Sequence, residues 1–352
     1  MALSLNKRQE LVLSFLEQAQ KPQAVSDVIQ YIHTVGYIFS RMTIYRDLQE
    51  LQGLGYIQKS GAGRGAVYAT TQGYRAIRPI DVEKYFEKDL EKRHAKEVFD
   101  FDIFSLLESV FSSQELVHLK KANNVYTQNI QQLSPTVLKR EYERLAIELS
   151  WKSSKIEGNT YTLLETEYLL REQQEPKGHT RSETNMILNH KIALDYIRAH
   201  KKRFVKLQVR DIEDVHSLLV ENLGVSKNVR SGLVRITGTV YKPLDNVFQI
   251  TEALEKACIL INTQKNPLTK AFIAMLLIAY IQPFEDGNKR TSRLIGNALL
   301  IAHDVCPLSF RSIDELEYKK AMLLFYEQNN FRYFKELFIE QFEFSVNNYF
   351  GA

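Results

Sequence analysis

Apolar residues recur at three- to four-residue spacing along most of this chain, and that spacing predicts amphipathic helices. Three such helices are predicted near the start of the chain, and the third begins at Ser40, a favourable N-cap. Two short β-type runs follow it, at residues 56–59 and 66–70. Residues 1–78 are therefore predicted to form a small separate domain, which Pro79 ends. The apolar sets of its three helices are Leu11, Val12, Phe15 and Leu16; Val25, Val28, Ile29 and Ile32; and Ile44, Leu48 and Leu51.

The next segment, residues 79–133, is rich in charge and in phenylalanine, which predicts a helical connector whose long helices wrap around a core. Ser134 and Pro135 then make a strong helix start, with serine as the cap and proline in the first turn. The helix is expected to stop at Gly158, because glycine is favoured just past a helix end. Residues 134–352 are predicted to form one further, mainly helical domain.

Within that domain, Thr162 and Glu165 form a capping box that opens another helix, and Ser182 is expected to cap the next one. A β-prone run at 235–243 is broken by Gly238 and Pro243, and it predicts a small hairpin. The fold class is therefore mainly α. The remaining predicted helices lie at 209–219, 271–281, 294–302, 316–325 and 333–346.

The central segment, residues 282–293, joins two apolar helices and reads Gln-Pro-Phe-Glu-Asp-Gly-Asn-Lys-Arg-Thr-Ser-Arg. Residues 286–288 favour left-handed or bridge conformations, which let successive N–H groups point into one concavity. Free N–H groups and the dipole at the start of the following helix favour an anion there. Arg290 and Arg293 share a face of the first turns. The segment therefore predicts a phosphate site, beside which the carboxylate of Asp286 suits Mg²⁺.

The central segment resembles the active-site motif of the Fic-domain family, His-Pro-Phe-x-Asp/Glu-Gly-Asn-Gly-Arg-x-x-Arg. Members of that family mostly transfer AMP from ATP to a hydroxyl of a target protein. The resemblance runs from about Ser134 to Phe338, and it implies a helical Fic core, ATP and Mg²⁺ as cofactors, and a target protein as partner. It assigns the metal to Asp286, the phosphate nest to Gly287, Asn288 and Lys289, and the far end of the triphosphate to Arg290 and Arg293.

Two positions depart from the family motif. Gln282 stands where the family has its general-base histidine, and an amide cannot accept the proton of an attacking hydroxyl at neutral pH. Lys289 replaces the last glycine of the nest. The resulting Asn-Lys-Arg sequence resembles the Doc branch of the family, where the nucleotide is reversed and phosphate is transferred.

An upstream segment places a carboxylate, Glu157, at a helix C-terminus. The helix dipole is unfavourable for a carboxylate there, so Glu157 requires a cation, and the arginines of the central segment can supply one. Ser153-x-x-x-Glu157-Gly158 is similar to the Fic inhibitory motif, Ser/Thr-x-x-x-Glu-Gly/Asn. The resemblance implies that Glu157 pairs with Arg293 and occludes the site of the γ-phosphate. A solvated glutamate in a connector is the alternative.

Two further features follow from the same resemblance. The predicted hairpin lies where Fic proteins hold a flap that pairs with the backbone of the target, and its tip comprises Thr237, Gly238 and Thr239. An ordinary surface hairpin is the alternative. Tyr318 and Tyr326 fall where the family has adenine-pocket residues, although aromatic core packing accounts for them equally well.

The first predicted domain, with three helices and a two-stranded wing, resembles a winged helix-turn-helix DNA-binding domain. The third helix would present Arg41, Thr43, Tyr45 and Arg46 to the major groove, and Arg64 of the wing would reach phosphate or the minor groove. Winged helices also serve as protein-interaction modules, so that reading stays open.

Composition adds few constraints. The net charge of +4 permits a nucleic-acid partner without requiring one. Cys258 and Cys306 lie in apolar surroundings and are predicted to be buried thiols. Charged residues near the N-terminus interrupt any signal-peptide core, and the most apolar run, 271–281, is too short to span a bilayer. We therefore expect a cytoplasmic protein without membrane contact, and a homo-oligomer is compatible with the sequence.

Together these features predict an ATP-binding protein built to adenylylate a target hydroxyl, restrained by Glu157 and impaired by Gln282. A DNA-binding regulator whose Fic core only senses nucleotide is one alternative. A Doc-like protein phosphotransferase is another.

Overall fold

Helix caps and apolar stripes build most of this structure, of which 64% is helical. The computed structural model describes residues 5–19 and 21–351, except for the side chain of Arg64. The chain divides into two compact units, Met1–Ile80 and Asp81–Ala352. No helix within the described residues is both long enough and apolar enough to cross a membrane.

The first unit combines helices with a small antiparallel sheet whose strand order is β1-β3-β2. The two predicted strands are present, and Ser60 pairs with Val67 beside the connection between them. A third strand that the sequence pattern did not predict pairs Ala24 with Val67. This strand is only two residues long, which is too short to show an alternation of apolar and polar residues. The elements are α1 (Lys7–Gln18), β1 (Gln23–Ala24), α2 (Val25–Thr34), α3 (Arg41–Gly53), β2 (Ile57–Ser60), β3 (Val67–Thr70) and α4 (Gln72–Ile77).

The predicted core and cap of the first unit are confirmed. The hydroxyl of Ser40 accepts a hydrogen bond from the N–H of Thr43 at 3.1 Å, which caps α3. Asp47 on α3 is 2% exposed and pairs with Arg8 on α1 at 2.6 Å, so this ion pair ties the two helices together. The buried core includes Val12, Leu16, Val28, Ile32, Ile44, Leu48 and Leu51.

The second unit is almost entirely helical, and its centre is α13, in which every residue from Leu268 to Ile281 is buried. A helix that is apolar on all sides must be surrounded by others. Its helices are α5 (Val82–Phe86), α6 (Ile103–Leu106), α7 (Ser113–Gln132), α8 (Pro135–Ile156), α9 (Leu163–Glu172), α10 (Arg181–Ala199), α11 (Val209–Leu219), α12 (Val247–Thr263), α13 (Pro267–Ile281), α14 (Asn288–Ala302), α15 (Glu315–Gln328) and α16 (Arg332–Asn348).

Local cap signals predicted several boundaries correctly. α8 begins after the Ser134 cap and ends at Ile156, and Thr162 caps α9 through a capping box with Glu165. The prediction that Ser182 caps α10 is wrong, because Thr180 is the N-cap. Thr180 forms a capping box with a glutamate three residues later, and that pair satisfies two free N–H groups at once.

The long helices predicted for the start of the connector are also wrong. Between α5 and α7 the described chain holds only short helical turns, and much of it is extended. Its backbone makes tertiary hydrogen bonds instead: the N–H of Lys96 donates to the carbonyl of Glu327 at 2.8 Å. Hydrophobic composition alone could not show that these residues pair with a distant helix.

The hairpin predicted at 235–243 does not form. Thr237 and Gly238 make a turn, with Gly238 at φ 86°, but no strand ladder flanks it. The N–H of Lys242 donates to the carbonyl of Glu97 at 2.8 Å, and Lys242 makes an isolated parallel bridge with Val98. The second arm of the expected hairpin therefore pairs with the connector rather than with the first arm.

Candidate functional site

Two left-handed residues, Gln282 at the start of the central segment and Gly287 just before α14, turn the chain sharply. α13 ends at Ile281, and Gln282 follows at φ 51° as its C-cap. Gly287 precedes α14 at φ 80°, a backbone conformation that favours glycine. A Cβ atom at Gly287 would lie 3.2 Å from Val220 Cγ1, so the position also lacks room for a side chain.

The side chain of Asn288 fastens this turn from inside. Its Oδ1 accepts the N–H of Phe284 at 2.9 Å, and its Nδ2 donates to the carbonyl of Phe284 at 2.8 Å. Phe284 is fully buried and stacks on the ring of His216 with a centroid distance of 3.6 Å. The side-chain amide of Asn288 thus stabilises the turn by hydrogen bonds, so its role is not limited to contacts in the cleft.

Gln282, at the position of the predicted base, is held in the same network. Its Nε2 donates to the carbonyl of Ala279 at 2.6 Å, and its Oε1 accepts from Asn288 Nδ2 at 3.0 Å. The residue is only 7% exposed. The amide therefore uses both of its polar atoms to hold the turn, and it has no basic nitrogen to offer a substrate.

Arg293 is fully buried on α14, about one helical turn beyond the nest at the N-terminus of that helix. Its Nε donates to Ser153 Oγ at 3.0 Å and its Nη2 to the Ser153 carbonyl at 2.8 Å. The same Nη2 donates to Glu157 Oε1 at 2.9 Å. Arg293 Cζ also lies 5.2 Å from the centroid of the Tyr318 ring. The structure thus brings together the two sequence motifs that lie more than a hundred residues apart.

Glu157 sits at the C-cap of α8, and Gly158 follows it in a left-handed conformation at φ 97°. Its second oxygen, Oε2, lies 3.7 Å from Lys289 Nζ. Burial would raise the pKa of Glu157, but the charges of Arg293 and Lys289 outweigh burial and hold the pKa below its ordinary value of 4.5. The carboxylate is therefore ionised at neutral pH and shared between two cations.

Arg290 pairs with a carboxylate of the central segment itself, Asp286. Its Nη2 lies 3.1 Å from Asp286 Oδ2, while the Asp286 side chain is 66% exposed. Nε and Nη1 of Arg290 are buried and have no hydrogen-bond partner within the described part of the chain. Burial lowers the pKa of Arg290, yet no ordinary pH removes its charge. Such an orphaned guanidinium fits an incoming anion.

Glu157, Gln282, Asp286, Lys289 and Arg290 line a cleft of about 380 Å³, and Arg293 contacts that lining through Glu157. Tyr318 and Tyr326 also line it; their rings are fully buried, and their hydroxyls lack a hydrogen-bond partner among the described residues. Thr237 reaches the rim, whereas the tip at Gly238 is held by Arg93, whose Nη1 donates to its carbonyl at 3.1 Å. Thr239 instead caps its own turn by accepting from the N–H of Tyr241.

The described residues offer few protein ligands for a metal at this cleft. No three His, Cys, Asp or Glu side chains gather at metal-ligand spacing in the described ranges. Mg²⁺ usually rests on one or two carboxylates together with substrate phosphates and water, so a single exposed carboxylate beside an anion site fits it. Asp286 supplies that carboxylate.

Arg230 positions the site, and sequence analysis missed it. It is 3% exposed; its N–H donates to the Pro283 carbonyl at 3.0 Å and its Nε to the Gln282 carbonyl at 2.7 Å. Its remaining nitrogens reach the carbonyls of Gly232 and Leu244. One side chain thus fastens the segment before α12 to the central segment, a role that no local pattern signals.

His216 was missed as well. Its Nε2 donates to the carbonyl of Asp286 at 3.0 Å, opposite the turn that Gly287 makes. Burial lowers the pKa of His216 to about 4, so the ring is neutral at physiological pH. His216 supports the turn, and its Nε2–H group is already used in a hydrogen bond.

In the first unit, the residues predicted to face DNA lie on α3. Arg41 and Arg46 are exposed, Thr43 is half-buried at the first turn, and Tyr45 is half-buried against the core. Arg41 lies over the ring of Tyr45, with 5.6 Å between its Cζ and the ring centroid. The side chain of Arg64 lies outside the described residues, so its predicted contact stays a prediction.

Comparison with known proteins finds a family similarity in the part of the chain that holds the central segment. The Fic/DOC family matches residues 206–300. Protein adenylyltransferase Fic of Drosophila melanogaster is 27% identical over 170 residues, which cover 47% of this chain and 34% of that protein. The Drosophila erecta protein of the same name is 27% identical over 174 residues, 48% of this chain and 34% of its own. The match thus spans about a third of the length of these relatives.

Solved structures support the fold. The solved fragment of Fic-1 from C. elegans (amino acids 134–508) aligns with 98% of this chain and 98% of the fragment at a TM-score of 0.56 and 17% identity. A Fic-domain-containing signaling protein from Bacteroides thetaiotaomicron aligns with 65% of this chain and 94% of its own at a TM-score of 0.56 and 20% identity. Residues 206–300 therefore match the Fic/DOC family, within a chain that has the Fic fold and is distantly similar to protein adenylyltransferases.

Proposed function

We propose that the cleft binds ATP with Mg²⁺ and is built to transfer AMP to a hydroxyl of a target protein, with Glu157 as its restraint. The observation that carries the proposal is the arrangement around Arg293: a fully buried guanidinium, on the helix that follows the phosphate nest, is held by Ser153 and by Glu157, which lines the cleft. A phosphate would compete with the Glu157 carboxylate and take its place as the partner of this buried arginine.

The polyphosphate would be bound by α14 and its preceding turn. Gly287 opens the backbone at the helix N-terminus, where N–H groups and the dipole favour an anion. Arg290, two of whose nitrogens have no hydrogen-bond partner among the described residues, and Arg293 would neutralise charge on the phosphates. Asp286 would hold the Mg²⁺, which would supply charge neutralisation at the phosphoryl oxygens. Tyr318 and Tyr326 leave their hydroxyls for a ligand in the cleft.

Gln282 leaves this arrangement without a general base. General-base catalysis contributes roughly 10²–10⁴-fold, so we expect nucleotide binding with weak or no transfer. His216 does not replace the base, because its Nε2 is bound to the Asp286 carbonyl and its low pKa of about 4 makes it a poor proton acceptor at neutral pH.

Labelled ATP tests this proposal. The chain carrying both Gln282→His and Glu157→Gly should retain the α-phosphate label on itself or on a protein of a host lysate, while the γ label leaves as pyrophosphate. The matched control is Glu157→Gly alone, which keeps the ATP site but lacks the base. Retention of the γ label would instead indicate phosphoryl transfer, with Lys289 orienting a reversed nucleotide. Transfer of neither label would contradict an enzymatic role.

A nucleotide-sensing, DNA-binding regulator is the second candidate. One observation favours it: both polar atoms of the Gln282 amide serve the turn, so glutamine is structurally integrated at the base position. The first unit contains α1, α2 and α3, which with the β2–β3 pair resemble a winged helix, and Arg41 and Arg46 are exposed on α3. This proposal requires the intact chain to shift a DNA duplex in a gel, with affinity that falls as salt rises. Absence of any shift would leave an interaction module.

A further inference from the structure

Lys289 occupies a place in the cleft that the phosphate nest alone does not explain. It is the second residue of α14, and its side chain is 25% exposed at the cleft. Its Nζ lies 3.7 Å from Glu157 Oε2, while Arg293 Nη2 lies 2.9 Å from Glu157 Oε1. The two oxygens of one carboxylate are thus divided between two cations.

The need for a second cation follows from where Glu157 lies. A carboxylate at the C-terminus of α8 is opposed by the helix dipole, and Glu157 retains only 19% exposure to solvent. Arg290 makes its ion pair with Asp286 and acts on Glu157 only through the longer-range effect of its charge. Among the described residues, Arg293 and Lys289 are therefore the side chains that form ion pairs with Glu157.

The two cations differ in their freedom to move. Arg293 is fixed by two hydrogen bonds to Ser153 in addition to Glu157. The ammonium of Lys289 has Glu157 as its ion-pair partner, and the described residues offer it no side-chain hydrogen bond. A lysine is a point charge on a flexible stem, so it can follow an anion across the cleft where a clamped arginine cannot.

We propose that Lys289 holds Glu157 in the closed cleft and, once Glu157 leaves, pairs with the terminal phosphate of a nucleoside triphosphate. Lys289 thereby couples release of the inhibitory carboxylate to the number of phosphates on the nucleotide. This inference rests on the proposed ATP site and adds to it a second partner for Glu157 and a residue that selects triphosphates over monophosphates.

A double-mutant cycle tests the inference. Calorimetry would measure Mg²⁺–ATP and AMP binding by the full chain, Lys289→Gln, Glu157→Gly and the double variant. Without Glu157, Lys289→Gln should weaken ATP binding about 3- to 10-fold, as for a partly exposed ion pair, and leave AMP binding unchanged. With Glu157 present, the same change should cost at least threefold less, because loosening of Glu157 offsets the lost phosphate contact.

Lys319→Gln is the matched control, since Lys319 also lines the cleft and has no ion pair with Glu157. It should change ATP affinity equally in both backgrounds. Glu157→Gln provides a second neutral background if the glycine variant does not fold.

Equal effects of Lys289→Gln with and without Glu157, or equal losses for ATP and AMP, would overturn the role of Lys289 while leaving the ATP site intact. Failure of every variant to bind ATP would overturn the proposed function and this inference together.

Discussion

Replacing Glu157 by glycine is the perturbation that the site responds to most directly. The change removes the carboxylate that Arg293 and Lys289 share, and leaves Arg293 with its two bonds to Ser153. The nucleotide no longer has to displace Glu157 before its phosphate reaches Arg293. ATP binding should therefore tighten.

The size of the effect follows from the lost competitor. Hydrogen bonds to charged groups contribute about 1.5–3 kcal/mol, and a tenfold change in affinity corresponds to about 1.4 kcal/mol. The Arg293–Glu157 contact is well formed at 2.9 Å with the arginine fully buried, so ATP should bind roughly 10- to 150-fold more tightly. AMP, which lacks the terminal phosphates, should gain much less.

The same change should lower the stability of the ligand-free protein. Breaking a fully buried ion pair costs about 3–5 kcal/mol, but Glu157 is 19% exposed and Arg293 keeps Ser153. We therefore expect a loss of about 1–3 kcal/mol, which saturating ATP recovers because it binds only the folded state.

Calorimetry with Mg²⁺–ATP, combined with denaturant unfolding, measures both effects. Glu157→Gln keeps the side-chain volume without the charge and should give an intermediate gain in affinity. Glu315→Gln is a control. Glu315 pairs with Lys152 and Lys155 of α8, the helix that ends at Glu157, and it does not reach Arg293. Equal ATP affinity in all four proteins would show that Glu157 does not compete with nucleotide, and the reasoning from the Arg293 contact would be wrong.

The remaining predictions concern acid and DNA. The lowered pKa of Glu157 means that its ion pairs stabilise the fold fully above about pH 5 and that this stability is lost as pH falls below 4.5, through the folded-state pKa. The difference in unfolding free energy between the chain and Glu157→Gln should shrink over that acid range; a constant difference down to pH 3 would contradict it. Arg41→Ala with Arg46→Ala should abolish sequence-specific DNA binding in a gel shift. Arg64→Ala should weaken binding to all sequences and reduce the salt slope by about one, whereas an unchanged slope would argue against a phosphate contact.

Local chemistry made much of this fold predictable from the sequence. The caps at Ser40, Ser134 and Thr162 satisfy free N–H groups within three residues, so their signals survive in any tertiary context. The boundary of α13 at Gln282 followed from the proline after it. The pairing of Glu157 with Arg293 was also predicted, because a carboxylate at a helix C-terminus needs a cation and a recognisable motif supplied one.

Tertiary structure decided what depends on pairs far apart in the chain. Arg230 fastens the central segment through carbonyls that no spacing rule connects to it, and the hairpin expected at 235–243 was lost because Lys242 pairs with the connector. The neighbours of Lys289 likewise could not be read from its position alone. A hydrogen bond or ion pair between distant residues leaves no periodic trace in sequence, since only the packing of α8 against α14 brings Glu157 within reach of both cations.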